Sequence, residues 1–341
     1  MELFDVVIVG AGPAGLRCAE MLQPSGLSVL ILEKNGAIGA KICAGGITRK
    51  FFNIYDPPQE ILEFKSNQTL VTSDNSEFLI QNTEPFIYTL NRKAFGQWQA
   101  ARITASSVQI RTGMLVTQIG KQAIEVNRNH KIGFRYLVGA DGPNSIVRRY
   151  LKLPSRKRII TLQYTVPSEN EKKFEVHIKK RLFGVGYGWV FPHGSYFTVG
   201  CGMSAGSMTP GQLKKNFHQW LIETEIKTNG ARIESFPILY DYQGYQFGNF
   251  YLAGEAAGFT SGLTGEGIYP ALASGTAIAQ HILNNKSAKE QIDEVIQHKK
   301  TQERYLSLFQ HAGFLGNTLI RATISLLHTD SIKKYILKGF S

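Results

Sequence analysis

The sequence predicts an α/β chain in which a parallel sheet flanked by helices is interrupted by an antiparallel β-sheet domain and followed by a helical tail. Three observations lead there. Apolar runs at Phe4–Val9 and Ser28–Leu32 bracket a glycine turn and a helical pattern over about Pro13–Leu22, which is a βαβ unit. From about Arg158 to Cys201 the pattern changes to an alternation suited to antiparallel strands. A strand at Phe250–Ala253 then returns to a glycine turn and a helix from about Gly267 to Leu283.

The elements follow in order. Phe4–Val9 and Ser28–Leu32 are almost continuously apolar, as strands buried on both faces of a parallel sheet are. A glycine-rich loop, Gly36–Gly46, leads into a mixed segment with short strand-like runs at Thr69–Val71 and Phe78–Ile80. Asn91–Ser106 is helical in pattern. Short β runs come next at Val108–Arg111, Leu115–Ile119 and Ala123–Val126, then a strand at Arg135–Gly139. The alternating region carries β runs at Ile159–Val166, Phe174–Lys180, Tyr187–Phe191 and Tyr196–Cys201, followed by a helix at Pro210–Glu223 and a strand near Ile233–Leu239. Ala288–Lys338 reads as a helical tail. Its apolar residues, among them Leu306, Leu308, Phe309, Phe314 and Leu315, suit either a helix packed on the domain or an interfacial helix on an anionic membrane.

Composition bounds the chemistry. With 341 residues, 43% hydrophobic and 19% charged, the chain has room for about two globular domains. Lys and Arg exceed Asp and Glu by 38 − 26 = 12, which favours anionic partners such as dinucleotides or acidic lipid surfaces. The basic clusters, such as Arg148-Arg149, Lys179-Lys180-Arg181 and Lys299-Lys300, are scattered and read as solvated surface, so nucleic acid is not an expected partner. Cys18, Cys43 and Cys201 are too few and too far apart for a disulfide framework, and the eight histidines show no metal spacing, so no metal is expected. No signal-peptide pattern opens the chain, and no apolar run approaches the roughly 18 residues of a membrane span. The default compartment is the cytoplasm, free or peripheral to a membrane.

The chemistry-bearing motif is Gly10-Ala11-Gly12-Pro13-Ala14-Gly15, set between strand and helix. Gly10 permits the tight turn, Gly12 lets backbone approach a pyrophosphate, and Gly15 allows close helix–strand packing. Glu33 ends the second strand, where a carboxylate can accept hydrogen bonds from ribose hydroxyls. A dinucleotide site follows.

Two further segments, Leu137-Val138-Gly139-Ala140-Asp141-Gly142-Pro143 and Leu252-Ala253-Gly254-Glu255-Ala256-Ala257-Gly258, each read as strand, acidic turn and helix. With the first motif they resemble the fingerprints of the FAD enzymes typified by p-hydroxybenzoate hydroxylase. Within that group the closest resemblance is to the geranylgeranyl reductase family, carried by Lys41-Ile42-Cys43-Ala44-Gly45-Gly46, by Tyr187-Gly188-Trp189-Val190-Phe191-Pro192 matching a YxWxFP segment, and by Ala256-Ala257-Gly258 through Gly267-Ile268.

The resemblance implies a Rossmann-like FAD-binding domain over 1–65, 90–155 and 245–284, an inserted antiparallel substrate domain over 66–89 and 156–244, and C-terminal helices over 285–341. It implies FAD held by Gly10, Gly12, Pro13, Ala14, Gly15, Glu33, Lys34, Lys41, Ala44, Gly45, Arg92, Val116, Asp141, Gly142, Gly254, Glu255, Gly262, Gly265, Gly267 and Ile268. It also implies catalytic positions at Cys43, Tyr187, Trp189 and Phe191, an isoprenoid or lipid substrate whose carbon–carbon double bonds are reduced, and an electron donor that is NAD(P)H or a reduced carrier such as ferredoxin. Glu255 stands where the family has Asp, and Gly96 where an acid is common after the family's arginine.

Several readings stay open at this level. Cys43 is either a small packing residue or a thiol beside the flavin. Arg92 is a cofactor ligand or a surface arginine at a helix start. Tyr187–Phe191 is a substrate wall or an aromatic core strand. His193 reads as a loop-surface residue more readily than as one approaching substrate, and Cys18 and Cys201 as packing. The alternatives to a reductase are an FAD-dependent monooxygenase of a small aromatic or apolar substrate and a non-catalytic prenyl-binding protein.

Overall fold

The structure is a computed structural model that describes residues 1–74, 76–168, 172–285 and 288–311. The chain divides into two compact units. The first is built from Met1–Lys41, Arg92–Arg158 and Ile238–Thr301, and the second from Ile42–Asn91, Ile159–Pro237 and the described chain from Gln302. Residues 42–65 thus cluster with the second unit and 285–301 with the first.

The first unit is organised by an eight-stranded sheet. Glu2–Val9 lies at its centre, parallel to Val29–Leu32 on one side and to His130–Gly139 on the other. Val108–Arg111 extends the sheet beyond Val29–Leu32, and Phe250–Leu252 beyond His130–Gly139, both in parallel. Parallel neighbours require a crossover, and the helix Pro13–Leu22 supplies the first one. Because side chains alternate along a strand, Val7, Val9, Leu30, Leu32 and Leu137 enter one core while Val6, Ile8, Val29, Ile31 and Val138 enter the other. That two-faced burial is why these strands read as unbroken apolar runs. The hairpin of Val116–Ile119 and Ala123–Val126 is added antiparallel to His130–Gly139.

The second unit holds a seven-stranded sheet in the order Glu234–Leu239, Arg158–Pro167, Tyr196–Ser204, Gly186–His193, Glu175–His177, Gln68–Thr72, Glu77–Gln81. The expected antiparallel character is broken where Glu175–His177 runs parallel to Gln68–Thr72. The helix Pro210–Glu223 covers one face, where Leu213, Phe217 and Trp220 join Val190, Val199, Cys201 and Met203 in a common core. A small antiparallel sheet of Gly46–Thr48, Ile87–Leu90 and Leu62–Ser66 is absent from the sequence reading. Its strands have three to five residues, and a register shift between Leu62 and Phe64 breaks the alternation that would have marked them.

Local boundaries also move. The helix read as Asn91–Ser106 stops at Ala101, and the run Phe174–Lys180 becomes the strand Glu175–His177 followed by a helical turn, Lys180–Phe183. Two members of the supposedly solvated basic clusters are buried: Arg148 and Lys299 are 1% and 3% exposed. The tail begins as the helix Ala288–His311, with Ile292, Val295 and Leu306 buried, and Leu308 exposed. Phe314 and Leu315 lie outside the described residues. Among the described residues no helix is long and apolar enough to cross a membrane.

Candidate functional site

In the first unit the glycine turn is built by backbone geometry. Gly10 has φ +104°, and a Cβ there would lie 2.5 Å from the Ala140 carbonyl oxygen, so both conformation and space require glycine. A Cβ on Gly15 would lie 2.1 Å from the Gly10 carbonyl oxygen, which keeps the helix Pro13–Leu22 tight against its strand. Gly12 differs: a Cβ there would meet nothing nearer than the Ala140 oxygen at 4.0 Å. Its open face lies at the helix N-cap, with Pro13 and Ala14 in the first turn, where backbone N–H groups favour an anion. Glu33 steadies the turn, accepting from the Ala11 N–H at 2.9 Å through Oε2 and from the Asn35 backbone and side-chain N–H groups at 2.9 and 2.7 Å through Oε1. Lys34 is exposed beside it.

Asp141 sits over the same turn, its Cα 2.9 Å from where a Gly10 Cβ would be. Its Oδ2 accepts the Ile146 N–H at 2.6 Å, while Oδ1 is buried with no hydrogen-bond partner among the described residues. Burial pushes this carboxyl above the usual Asp range, against the opposing hydrogen bonds from Ser145 and Ile146. The open buried acceptor of Asp141 fits a hydroxyl of a dinucleotide, and the glycine cradle with its backbone N–H groups fits the pyrophosphate.

Glu255 and Lys41, 214 positions apart, form an ion pair at 2.6 Å, and the other Glu255 oxygen accepts the Leu239 N–H at 3.0 Å. Gly254 precedes it and donates its N–H to Ser274 Oγ at 2.9 Å. The turn from Gly262 to Gly267 is tied by the Ser261 hydroxyl, which accepts from the N–H groups of Leu263 and Thr264 at 3.2 and 3.0 Å, and by Gly265 N–H donating to the Ser261 carbonyl at 3.0 Å. Gly267 then caps the 15-residue helix Ile268–Ile282. Arg92 opens the helix Arg92–Ala101 with its guanidinium 5.6 Å from the centre of the Phe95 ring. Gly96 on that helix faces the glycine loop: a Cβ would be 2.7 Å from Gly39 Cα, so the acid found at this position in the family has no room here. Gly142 follows Asp141 in an open turn, and the Val116 side chain is buried in the core, leaving its backbone as the group able to meet a ligand.

In the second unit Tyr187, Trp189 and Phe191 share the face of the sheet opposite Gly188 and Val190. Their rings form a stripe with centroid spacings of 6.1 and 6.3 Å, extended by Phe174 at 4.6 Å from Phe191. Trp189 lies across Gly200, where a Cβ would be 2.3 Å from the indole. The Cys43-Ala44-Gly45-Gly46 segment meets this stripe, since a Cβ on Gly46 would be 2.9 Å from the Phe191 ring. Cys43 is half-buried and its Sγ accepts the Gly45 N–H at 3.3 Å; Cys18 and Cys201 are buried, and burial pushes the Cys18 thiol up to about 12.

Three residues escape a sequence reading. Arg148 donates to the Ala256 carbonyl at 3.0 Å and to those of Asp241 and Pro154, joining segments that each motif leaves separate. Lys299 Nζ donates to the Thr260 carbonyl at 2.9 Å, beside the turn that begins at Ser261. His193 is not a loop-surface residue: it is 2% exposed and bonded on both ring nitrogens. No local pattern marks any of them, because each partner is remote in sequence or a backbone carbonyl. No cluster of three or more potential metal ligands occurs among the described residues.

Comparison with known proteins agrees with this geometry. A model of the Thi4 family matches residues 1–133. An uncharacterized protein of Methanosarcina barkeri is 31% identical over 335 residues, covering 93% of this chain and 85% of its own length. Geranylgeranyl diphosphate reductase of Rhodobacter capsulatus is 28% identical over 295 residues, covering 81% of this chain and 74% of its own. The fold is that of a geranylgeranyl bacteriochlorophyll reductase-like protein from Thermoplasma acidophilum, at a TM-score of 0.75 and 20% identity, over 98% of this chain and 90% of the other. With the glycine cradle, the acidic turns and the aromatic strand all in place, the chain belongs to the geranylgeranyl reductase family of FAD-dependent oxidoreductases.

Proposed function

We propose that this protein binds FAD noncovalently and reduces carbon–carbon double bonds of an isoprenoid chain of the geranylgeranyl class. The observation that carries the substrate reading is the stripe of Tyr187, Trp189 and Phe191 beside the Cys43 turn, three aromatic rings in a row on one face of the sheet. Such a surface suits a polyprenyl chain, which offers area and no hydrogen-bonding groups along its length.

In this reading the N–H groups at the start of Pro13–Leu22 take the pyrophosphate, Glu33 and Asp141 accept hydroxyl groups, and the Lys41–Glu255 pair with Arg92 lines the rest of the cofactor's path. The N-terminus of Ile268–Ile282, approached through Gly262, Gly265 and Gly267, stabilises negative charge. When bound and reduced, FAD would supply a hydride to one alkene carbon, and a proton from water would complete the addition at the other. An unactivated alkene develops no oxyanion, so the aromatic stripe contributes by orienting the chain and excluding water. Cys43 shapes the near end of that surface. Electrons come from NAD(P)H or a reduced carrier such as ferredoxin, and contact with a membrane surface would deliver a lipid substrate.

The test is anaerobic. Enzyme reduced with dithionite should reoxidise when geranylgeranyl diphosphate or a geranylgeranyl lipid is added, and the product should gain two hydrogens per reduced bond. Trp189→Ala should slow that reaction at least tenfold while leaving FAD content near wild type, an effect of about 1.4 kcal/mol or more on the barrier. Oxygen-dependent insertion of one oxygen atom into a small substrate, with no anaerobic reaction, would assign the monooxygenase activity instead. Isoprenoid binding without turnover would assign a carrier.

A further inference from the structure

Beneath the Cys43 turn the second unit buries a polar cluster that none of the motifs contains. His193, 2% exposed, brings Nδ1 within 2.7 Å of Glu63 Oε2 and Nε2 within 3.0 Å of the Ala44 carbonyl oxygen. The Tyr196 hydroxyl donates to the same Glu63 oxygen at 2.8 Å, and Asn91 Nδ2 donates to Oε1 at 2.9 Å. The Tyr196 ring stacks on the imidazole, with centroids 4.6 Å apart and planes 8° from parallel.

The proton inventory of this cluster is constrained. A carbonyl oxygen only accepts, so Nε2 carries a hydrogen. Both Glu63 oxygens accept from other donors, and these bonds, with that of His193, outweigh the burial that would raise the carboxyl and hold it below the usual Glu range. Glu63 is therefore ionised and Nδ1 also carries a hydrogen. Burial first, and the Glu63 carboxylate second, push the Tyr196 phenol up, which keeps it a donor.

We infer that His193 is a buried imidazolium that works as a positioning residue, clamping the Cys43–Gly45 turn to the strand Leu62–Ser66 through two charge-assisted hydrogen bonds. Gly45 is shaped to the clamp: its φ is +75°, and a Cβ would lie 2.7 Å from His193 Cε1 and 2.9 Å from the Leu90 carbonyl oxygen. The charged and titratable groups meeting the ring in the described contacts are Glu63 and Tyr196, with Cys43 one residue from the Ala44 carbonyl that the ring holds. Glu63 holds the ring at Nδ1, so its removal takes away the bond that ties the imidazole, and with it the Ala44 carbonyl, to the strand Leu62–Ser66. The bearing on catalysis rests on the proposed role of the Cys43 turn; the clamp itself does not.

The test uses the FAD-loaded, full-length protein. Cys18 and Cys201 are buried, so N-ethylmaleimide followed by intact mass reports Cys43. His193→Gln should raise the Cys43 labelling rate about tenfold, which would correspond to loss of about 1.4 kcal/mol of restraint on the turn. His193→Lys, which keeps a cation and its donors, should return to within about threefold of wild type. Glu63→Gln should raise the labelling rate in the same direction as His193→Gln, because the ring then loses its carboxylate anchor. In protein carrying ¹⁵N-histidine, the resonances lost in His193→Gln should have imidazolium shifts at pH 7. A neutral ring at pH 7, or labelling profiles of both His193→Gln and Glu63→Gln that match wild type, would overturn the clamp. Where His193→Gln fails to fold, the ¹⁵N shifts and Glu63→Gln decide. Clamp behaviour as expected in a protein that reduces no isoprenoid would refute the proposed activity and leave the clamp standing.

Discussion

Glu255 shows how a one-methylene difference is used. The family's Asp at this position suggests that Glu255→Asp should be tolerated, but the longer side chain here spans two partners, with Oε1 on the Leu239 N–H at 3.0 Å and Oε2 on Lys41 at 2.6 Å. Shortening it withdraws the carboxylate from at least one of them. Glu255→Asp should therefore weaken FAD binding by about tenfold, the scale of one lost charge-assisted hydrogen bond. Fluorescence titration of apoprotein with FAD measures it, and unchanged affinity would mean that the extra reach is not used. Gly96 is the complementary case. The expected acid is missing because the helix Arg92–Ala101 approaches Gly39 too closely for any side chain. The substitution pattern is thus a packing matter and leaves the reading of Arg92 intact.

At the level of elements, Arg148 connects what the motifs keep apart. It rises from the short helix Ile146–Tyr150 after the Asp141 turn and donates to carbonyls of Pro154, Asp241 and Ala256, the last within the Glu255 turn. Burial pushes its guanidinium below the usual Arg range, with Asp241 opposing, yet nothing suggests a neutral form near pH 7. Arg148→Met keeps the length and removes every donor, leaving buried carbonyls unpaired at about 1–3 kcal/mol each. The variant should lose about 3 kcal/mol or more in urea denaturation, a large part of the 5–15 kcal/mol typical of a domain. It should also release FAD more readily, because the Asp141 and Glu255 turns share this arginine. A midpoint shift below about 0.5 kcal/mol would show that water replaces the guanidinium.

For the whole molecule, ligand linkage separates cofactor loading from folding. FAD that binds only the folded state stabilises it by about 2.7 kcal/mol at 100 times Kd. Wild-type protein should therefore gain several degrees in Tm when saturated with FAD. In Gly12→Val the branched side chain would occupy the open face of the turn, where Gly12 now meets nothing within 4.0 Å but the Ala140 oxygen. That variant should fold, copurify without flavin and show no FAD-dependent shift by differential scanning fluorimetry. Equal flavin content and an equal Tm gain in folded Gly12→Val would remove the pyrophosphate from this turn.

How much of this was legible depends on the range of the interactions. The βαβ unit, the Gly10–Gly15 turn and the aromatic period of Tyr187, Trp189 and Phe191 could be read directly, because strand alternation, glycine spacing and helix starts are local rules. The three-stranded sheet of Gly46–Thr48, Leu62–Ser66 and Ile87–Leu90 could not, since its short strands are stabilised by pairing with each other and carry little pattern alone. Nor could the pairing of Lys41 with Glu255 or of His193 with Glu63, which are 214 and 130 positions apart. By itself the sequence determined the α/β class, the dinucleotide turn and the residues that carry the family resemblance. Only the tertiary structure decided that Arg148, Lys299 and His193 are buried donors. A charged side chain inside a protein is defined by its acceptors, and here those acceptors are backbone carbonyls and a carboxylate that chain folding alone brings within reach.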